Sequence, residues 1–326
     1  MNKSQKKQLR KAGRLAIVIG AVLALILLVI GGIVLIFRMF SHPAPSKDES
    51  ISNTSQTEST ASLSESFTSE QASEITARLN EALENYYQST GIDKEDLSVV
   101  IETTDGQIRY ALNEDEPFIA ASLFKLPLAM LYCDMMAEGQ FGMQDVVYFE
   151  EYDLHEEGDN TITEDYSPGD EVPVETAMKS MLRFSDNTAA AILYNNIGGW
   201  NQYLEEQKVY QGDAADSFEN PENENLTTGR QMMNVLQILQ ANPEKYEVIT
   251  STLAQTTQSE FLNAQLPNTM IQKYGDLGEQ LNAAGFSATG VPYRIVVLSH
   301  SANRVNDAGE INEIVWNILN GQDAQN

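Results

Sequence analysis

Apolar residues recur along the chain at two different spacings, and each spacing predicts a different kind of element. Four apolar residues, three or four positions apart between residues 75 and 86, predict an amphipathic helix over residues 71–88. Apolar residues then alternate over 97–101 and again over 108–112, on either side of Thr104-Asp105-Gly106. Alternation interrupted by turn-forming residues is typical of a β-hairpin, so we expect two antiparallel strands here.

The pattern becomes helical through the middle of the chain and returns to a strand near its end. A helix is expected over residues 122–138, because Gly139 follows a long apolar and periodic stretch. Shorter helices are predicted over 174–182, 187–197, 200–206 and 228–240. A continuous apolar run over 293–299 predicts a buried strand. We expect residues 310–319 to form the closing helix of the chain. Strands at both ends with helices between them indicate an α+β fold, with one antiparallel sheet assembled from distant parts of the chain.

The first forty residues differ from the rest of the chain, because they carry seven basic residues and no acidic one. The uncharged stretch from Leu15 to Phe37 is long enough, at about 1.5 Å per residue, to cross a hydrocarbon core of roughly 30 Å. The alternative is a cleaved signal peptide, whose apolar region would be shorter and would end at small residues rather than at Arg38-Met39-Phe40. Six basic residues precede the span, so we expect a cytoplasmic tail over 1–14 and a transmembrane helix over 15–37.

The residues after the apolar span divide into a linker and a domain. Nearly half of residues 41–70 are Ser or Thr, and large apolar residues are almost absent, which predicts a disordered linker over 38–70. Residues 71–326 remain, and this length is sufficient for one large domain with a sizeable core. Because the basic residues precede the span, we expect this domain to lie outside the membrane.

Charge and composition exclude several classes of function. The formal net charge is −27 at pH 7, which argues against a nucleic-acid partner, since such binding depends on clustered Lys and Arg. The one cysteine, Cys133, excludes an intramolecular disulfide. The three histidines form no Cys/His cluster with zinc-binding spacing, so we expect neither a metal nor a cofactor.

Three short motifs carry residues that are suited to nucleophilic catalysis. Ser122 and Lys125 form S-x-x-K at the expected start of a helix, where they share a face and the amine can reach the hydroxyl. The tripeptide S-D-N at 185–187 follows an apolar run, and K-Y-G at 273–275 precedes the last strand. Each motif has a structural alternative: an N-cap with a solvated lysine, a helix cap, and an ordinary turn, respectively.

Together these residues permit acyl transfer through a covalent ester. Ser122 would attack a carbonyl, Lys125 would take its proton, and backbone N–H groups at the helix start would stabilise the oxyanion. Ser185 and Lys273 would pass a proton to the leaving nitrogen and hold an anionic group of the substrate. Asn187 would hold a substrate amide.

The order and spacing of the three motifs resemble those of the class A β-lactamase and penicillin-binding-protein superfamily. The resemblance implies a β-lactamase/D,D-peptidase-like fold over residues 71–326, with an antiparallel sheet plus a helical subdomain. It implies substrate binding by Asn187, Tyr274, Gly275 and Asp276, with Asp276 supplying a second oxyanion N–H. It also implies a bacterial source, so with the predicted span we expect the bacterial cell membrane as the location, and it implies a β-lactam or a peptidoglycan peptide as the substrate.

Two features depart from the family's pattern. The family has a small hydroxyl residue where this chain has Tyr274, and that hydroxyl helps to bind the substrate carboxylate. The family's E-x-x-L-N motif, whose Glu activates the deacylating water, is absent from this chain. Glu219 or Glu222 could replace that Glu, because each lies at a suitable distance after Ser185 in the sequence. We therefore expect a long-lived acyl-enzyme and poor turnover of β-lactams.

Three functions are compatible with this resemblance. The first is a membrane-anchored serine hydrolase of the β-lactamase type, and the second is a cell-wall D,D-peptidase or slow penicillin-binding protein. The third is a non-catalytic binding module on the same fold. The complete set of motif residues argues against the third, whereas Tyr274 and the missing Glu favour the second over the first.

Overall fold

The computed structural model describes residues 67–322 apart from 157, 215–223, 257–258, 279 and 301–306. These residues belong to one unit, Ala61–Asn326. The predicted cytoplasmic tail, the predicted transmembrane helix and most of the predicted linker lie outside the described residues. Within the described part of the chain, no helix is long and apolar enough to cross a membrane.

The strands of the described fold form one large sheet and two small strand pairs. They are β1 (Leu97–Thr103), β2 (Arg109–Leu112), β3 (Phe118–Ile119), β4 (Val146–Tyr148), β5 (Glu171–Pro173), β6 (Leu226–Thr227), β7 (Met270–Leu277), β8 (Gln280–Ser287) and β9 (Tyr293–Ser299). The large sheet is antiparallel in the order β2-β1-β9-β8-β7, while β3 pairs with β6 and β4 with β5. Because β1 pairs with β9 along its full length, the sheet joins the two ends of the domain.

Helices cover both faces of this sheet. They are α1 (Ser69–Thr90), α2 (Lys125–Ala137), α3 (Val174–Arg183), α4 (Asn187–Asn196), α5 (Trp200–Glu206), α6 (Gly229–Ala241), α7 (Glu247–Leu253) and α8 (Asp307–Leu319). Successive β1 residues point to opposite faces, so Val99 packs with α1 and α8, while Val100 packs in the core that includes α2 and α6. The second core also contains α3, α4 and α7, which form the helical subdomain.

The strongly periodic elements agree with the sequence predictions. The first helix, the hairpin with Gly106 at φ 70°, the four central helices, the buried strand 293–299 and the closing helix are all present. The helix expected over 122–138 is divided into a 3-10 turn, Ala121–Phe124, and α2. The first helix begins at Ser69, where Thr68 caps it in a capping box, two residues before the expected start.

The sequence analysis missed β7 and β8, which form the edge of the sheet nearest the 3-10 turn. These strands contain buried polar residues and glycines in place of the β-branched residues that identify a strand in sequence. The motif K-Y-G at 273–275 therefore lies within a strand rather than in a turn.

Candidate active site

Ser122 lies in the 3-10 turn, on a backbone that other parts of the fold hold in place. Ala121, just before it, has a φ of 48°, a conformation that costs a non-glycine residue free energy. Asn225 fixes this segment, since its Nδ2 donates to Ala121 O at 2.8 Å and its carbonyl accepts from Ala120 N at 2.8 Å. Asn282 Nδ2 donates to Ile119 O at 2.7 Å. The strained turn is therefore held on both sides.

Gly275 in β7 allows the strand to approach this turn closely. A Cβ added at Gly275 would lie 2.8 Å from Ala120 O and 3.0 Å from Ser122 N, both shorter than ordinary contacts. The absence of a side chain therefore brings the backbone of β7 against the backbone N–H of Ser122. The next residue, Asp276, is exposed, and its Oδ1 accepts from Gly278 N at 3.0 Å.

Lys125 is fully buried at the start of α2, and its Nζ is in reach of four acceptors. The distances are 3.0 Å to Ser122 Oγ, 2.5 Å to Ser185 O, 3.3 Å to Ser185 Oγ and 2.7 Å to Asn187 Oδ1. The amine thus connects the turn that carries Ser122 with the residues just before and at the start of α4. This arrangement excludes the solvated-lysine alternative for Lys125.

Burial also changes the protonation of Lys125. Removal from water lowers the pKa of Lys125 to about 7, while the negative charges of Asp186 and Asp159 act in the opposite direction. At neutral pH a substantial fraction of the amine is therefore unprotonated. An unprotonated amine 3.0 Å from Ser122 Oγ can accept the hydroxyl proton.

Lys273 in β7 reaches the same centre from the opposite side. Its Nζ donates to Ser185 Oγ at 3.0 Å and to Tyr274 O at 2.8 Å, and the side chain is fully enclosed. Burial first, and the charge of Lys125 second, lower the pKa of Lys273 well below its usual range. Ser185, at a φ of 56°, is held between the two lysines.

Asp186 anchors the loop that carries Ser185, a role that sequence analysis did not assign. Its carboxylate is buried and caps α4 by accepting from Ala189 N at 2.8 Å. It also accepts from Ser180 Oγ at 2.9 Å and from Ile162 N at 2.7 Å, so it joins two helices and a separate loop. The sequence suggested only a helix cap for Asp186, because no periodic pattern indicates its contacts with Ser180 and Ile162.

Asn187 is enclosed by a loop that sequence analysis also missed. A Cβ added at Gly158 would lie 2.6 Å from Asn187 Nδ2, so this loop packs directly on the Asn187 side chain. Asp159 O accepts from Asn187 N at 3.2 Å, which places the exposed Asp159 near the lysines. Short polar loops of this kind give no periodic signal in the sequence.

Tyr274 forms one wall of the cleft. Its ring stacks on Phe261, with centroids 4.4 Å apart and an interplanar angle of 17°. Lys273 Nζ lies 4.2 Å from the centre of the same ring. Burial, together with the charges of Asp159, Glu260 and Asp276, raises the pKa of the Tyr274 hydroxyl, whereas a hydrogen bond with Ser185 lowers it.

The site therefore consists of two parts, which are named here by their residues. The floor comprises Ser122, Lys125, Ser185 and Lys273. The rim comprises Asp159, Glu260, Phe261, Tyr274 and Asp276. The proposed substitutes for a deacylating base, Glu219 and Glu222, lie outside the described residues. No group of three or more His, Cys, Asp or Glu side chains within the described ranges is placed to hold a metal ion.

Comparison with known proteins gives the same picture of the fold. A family model described as the beta-lactamase enzyme family matches residues 74–320. Among solved structures, the TLA-1 extended spectrum beta-lactamase is 19% identical with a TM-score of 0.62, and 75% of this chain and 99% of that one are covered. A beta lactamase from Xanthomonas campestris is 19% identical with a TM-score of 0.59, and 77% of this chain and 98% of that one are covered.

A second group of similar structures is formed by PBP-A. It is 17% identical with a TM-score of 0.60, and 77% of this chain and 95% of that one are covered. A leucine-to-glutamate variant of PBP-A, also 17% identical, is an acyl-enzyme complex with penicillin G. At these identities the likeness is one of fold. No curated protein sequence matches the chain.

Proposed function

The chain belongs to the beta-lactamase enzyme family and is a serine hydrolase, and on that premise we propose that Ser122 is its nucleophile. The observation that carries this proposal is the position of the buried Lys125 amine, 3.0 Å from Ser122 Oγ. A serine hydroxyl is a weak nucleophile until a neighbouring base accepts its proton. Lys125 meets this requirement in geometry, and its lowered pKa of about 7 suits a base at neutral pH.

The proposed acylation proceeds through a tetrahedral intermediate. Ser122 Oγ forms a bond to the substrate carbonyl carbon as its proton passes to Lys125 Nζ. The backbone N–H groups of Ser122 and Asp276 would stabilise the oxyanion, and the close approach of Gly275 to Ser122 N supports this assignment. Donors fixed before the reaction in this way need no reorganisation as charge develops.

Collapse of the intermediate breaks the bond between the carbonyl carbon and the leaving nitrogen. The nitrogen takes a proton from Ser185 Oγ, which is then reprotonated by the lysines that contact it, Lys273 at 3.0 Å and Lys125 at 3.3 Å. Asn187, whose carbonyl oxygen accepts from Lys125 Nζ at 2.7 Å, would hold a substrate amide. Water then hydrolyses the Ser122 ester and restores the free hydroxyl.

We propose a β-lactam or a related amide as the substrate, with a cell-wall D,D-peptidase or slow penicillin-binding protein as the second candidate. The sequence feature that favours the second is the absence of E-x-x-L-N, because hydrolysis of the ester requires a base beside the water. The non-catalytic alternative is disfavoured by the buried lysine pair.

The location of the domain is also a proposal. We propose that residues 15–37 anchor the protein once in a bacterial cell membrane, with the N-terminus in the cytoplasm and the domain outside. The six basic residues before Leu15 and the uncharged span support this topology. Protease treatment of intact cells should remove the domain but leave a cytoplasmic control protein intact. Protection of both would contradict the topology.

The test of the reaction follows the intact mass of the full-length protein during incubation with labelled penicillin. A lasting adduct supports the D,D-peptidase or slow-binding candidate, and a transient adduct with product release supports the β-lactamase candidate. No adduct contradicts both. Ser122→Ala should abolish the adduct, whereas the control Ser89→Ala, an exposed change in α1, should not.

The role of Glu219 and Glu222 needs a separate comparison. If neither supplies a base, the wild-type adduct should persist during a chase, and Glu219→Gln and Glu222→Gln should behave like wild type. If wild type clears its adduct within seconds and one of the two variants retains it, that carboxylate is the deacylating base. The expectation of slow turnover would then be wrong.

A further inference from the structure

The first proposed oxyanion donor, the backbone N–H of Ser122, belongs to the peptide unit that joins Ala121 to Ser122. This unit carries two polar groups, Ser122 N–H and Ala121 O, and in a trans peptide they point in opposite directions. A contact that holds Ala121 O therefore also sets the direction of Ser122 N–H. The orientation of this one peptide unit determines whether the donor faces a substrate carbonyl.

The local chain does not favour the observed orientation of this peptide unit. Ala121 has a φ of 48°, in the left-handed region that non-glycine residues avoid. A residue keeps such a conformation only where the surrounding structure holds it. Contacts from other parts of the fold are therefore needed to fix the peptide unit.

Asn225 supplies such a contact at the carbonyl end of the unit. Its Nδ2 donates to Ala121 O at 2.8 Å. The side chain starts from a backbone that is itself tied to the same turn, because the Asn225 carbonyl accepts from Ala120 N at 2.8 Å. The next residue, Leu226, pairs with Ile119 in the small sheet of β3 and β6. The amide of Asn225 is therefore held in place before any substrate binds.

The two ends of the peptide unit have different neighbours. Strand β7 lies beside the N–H, since a Cβ added at Gly275 would be 3.0 Å from Ser122 N. Asn225 lies at the oxygen. Asn282 also contacts this segment, but its Nδ2 donates to Ile119 O, which belongs to an earlier peptide unit. A hydrogen bond to the oxygen of a peptide polarises it and makes its N–H a stronger donor.

We propose that Asn225 is a positioning residue for the oxyanion site, and that its amide holds Ala121 O so that Ser122 N–H points at the developing oxyanion. The inference rests on the proposed function of Ser122, because the effect is measured on the acylation of that residue. Asn225 acts through the peptide unit and not on the substrate itself. Its loss should therefore weaken the transition state, in which the substrate oxygen carries negative charge, more than it weakens substrate binding.

Two esters that differ in one atom test this role with the full-length protein. Both join N-phenylacetylglycine to 3-hydroxybenzoate, whose carboxylate stays on the leaving group, and in the second ester sulfur replaces the carbonyl oxygen. In each reaction Ser122 Oγ bonds to the acyl carbon, the carbon–oxygen bond to the phenol breaks, and the phenol oxygen takes the proton. Sulfur is a weak hydrogen-bond acceptor, so the thiono ester gains less from the oxyanion donors. Release of 3-hydroxybenzoate gives kcat/KM for each ester.

Asn225→Asp keeps the shape of the side chain but removes its N–H donor. It should lower kcat/KM for the oxygen ester by about tenfold, less than the 10²–10³-fold of a deleted donor, because Ser122 N–H is misaligned but still present. The thiono ester should lose less than about twofold, so the oxygen-to-sulfur ratio falls by about fivefold or more. Asn225→Ala should lower the ratio in the same way without adding a charge. The ratio does not depend on the fraction of protein that is folded.

The matched control is Asn242→Asp, which makes the same chemical change at the end of α6. Asn242 Nδ2 also donates to a backbone carbonyl, that of Ile238, at 2.9 Å. This variant should keep the wild-type ratio. A fall in the control as large as that in Asn225→Asp would contradict a role specific to Asn225.

A spectroscopic measurement examines the same contact without the thiono ester. Penicillin labelled with carbon-13 at the β-lactam carbonyl gives an acyl-enzyme whose ester carbonyl stretch can be isolated by infrared difference spectroscopy. Hydrogen bonds to the carbonyl oxygen lower this frequency. The stretch should therefore lie at higher frequency in Asn225→Asp than in wild type, and an equal frequency would contradict the proposal.

Failure of this proposal is distinguishable from failure of the proposed function. If neither penicillin nor the oxygen ester acylates Ser122, the proposed function is wrong. If Ser122 is acylated but the oxygen-to-sulfur ratio in both Asn225 variants equals that of wild type, only the positioning role of Asn225 is overturned.

Discussion

The two lysines of the floor are buried and contact its serines at hydrogen-bond distance, whereas no side chain of the rim is buried and three of them are carboxylates. In the floor, a shift of one group disturbs its partners, because Lys125 contacts both Ser122 and Ser185. In the rim, side chains act on the substrate mainly through charge and shape. We therefore expect the floor to act on the reaction itself and the rim to act on the approach of charged substrates. Substitutions in the two parts should therefore differ in size and in kind.

The largest effect is expected from Lys125→Ala, which removes the proposed base. Acylation of Ser122 by labelled penicillin should fall by about 10²–10⁴-fold, the usual contribution of a general base. Quenched-flow formation of the labelled adduct measures this rate, and thermal unfolding monitors the fold. Lys179→Ala, at an exposed i,i+4 ion pair with Glu175, is the matched control and should retain the wild-type rate. A comparable loss in both variants would contradict the assignment.

A smaller effect is expected from Gly275→Ala, which tests how closely β7 approaches the turn. The new Cβ would lie 2.8 Å from Ala120 O, so the strand or the turn must move. Displacement of the oxyanion donors should lower kcat by about tenfold to a hundredfold. Gly142→Ala is the control, since its Cβ would meet nothing closer than 3.6 Å. Wild-type kinetics in Gly275→Ala would show that this approach has no catalytic importance.

The pH dependence of acylation tests the protonation of Lys125. Because the amine must be unprotonated to accept the Ser122 proton, and burial lowers its pKa to about 7, the rate should rise with pH and level off above this value. Below pH 7 the rate should fall by about tenfold per pH unit. Single-turnover acylation rates measured between pH 5 and 9 define this rise. A rate that does not change over this range would exclude Lys125 as the base.

The smallest effect is expected from Asp159→Asn in the rim. Loss of an exposed negative charge should raise the rate of acylation by penicillin, whose carboxylate is negatively charged, by about twofold to threefold. The charge of Asp159 raises the pKa of Lys125. In Asp159→Asn the acylation rate should therefore begin to rise at a lower pH than in wild type. Glu313→Gln, in α8, is the control for net charge. Equal changes in Asp159→Asn and Glu313→Gln would contradict a local effect of the Asp159 charge.

The extent to which sequence predicts this molecule differs between elements. The periodic helices and strand β9 were predicted because their burial repeats along the sequence. Strands β7 and β8 were missed because Gln272, Lys273 and Asn282 are buried polar residues, whose strand conformation depends on partners elsewhere in the fold.

The candidate site shows the same division. Spacing indicated Ser122 and Lys125, since residues three apart share a helical face. The contacts of Asn225 with the Ala120–Ala121 backbone join residues more than one hundred positions apart, and no local pattern indicates them. The Asp186 contacts that hold the loop before α4 span only 6 and 24 positions, but no periodic pattern indicates them either. Sequence therefore indicated the groups that we propose to react, but not the groups that position them.

The most direct test of the central claim is to map the acylated residue after a brief reaction of the full-length protein with labelled penicillin. The account predicts one labelled group, on the peptide that contains Ser122, and none in Ser122→Ala. Acid quenching followed by proteolysis and mass spectrometry locates the group. A modification on Ser185 or another residue, with Ser122 unmodified, would contradict the account.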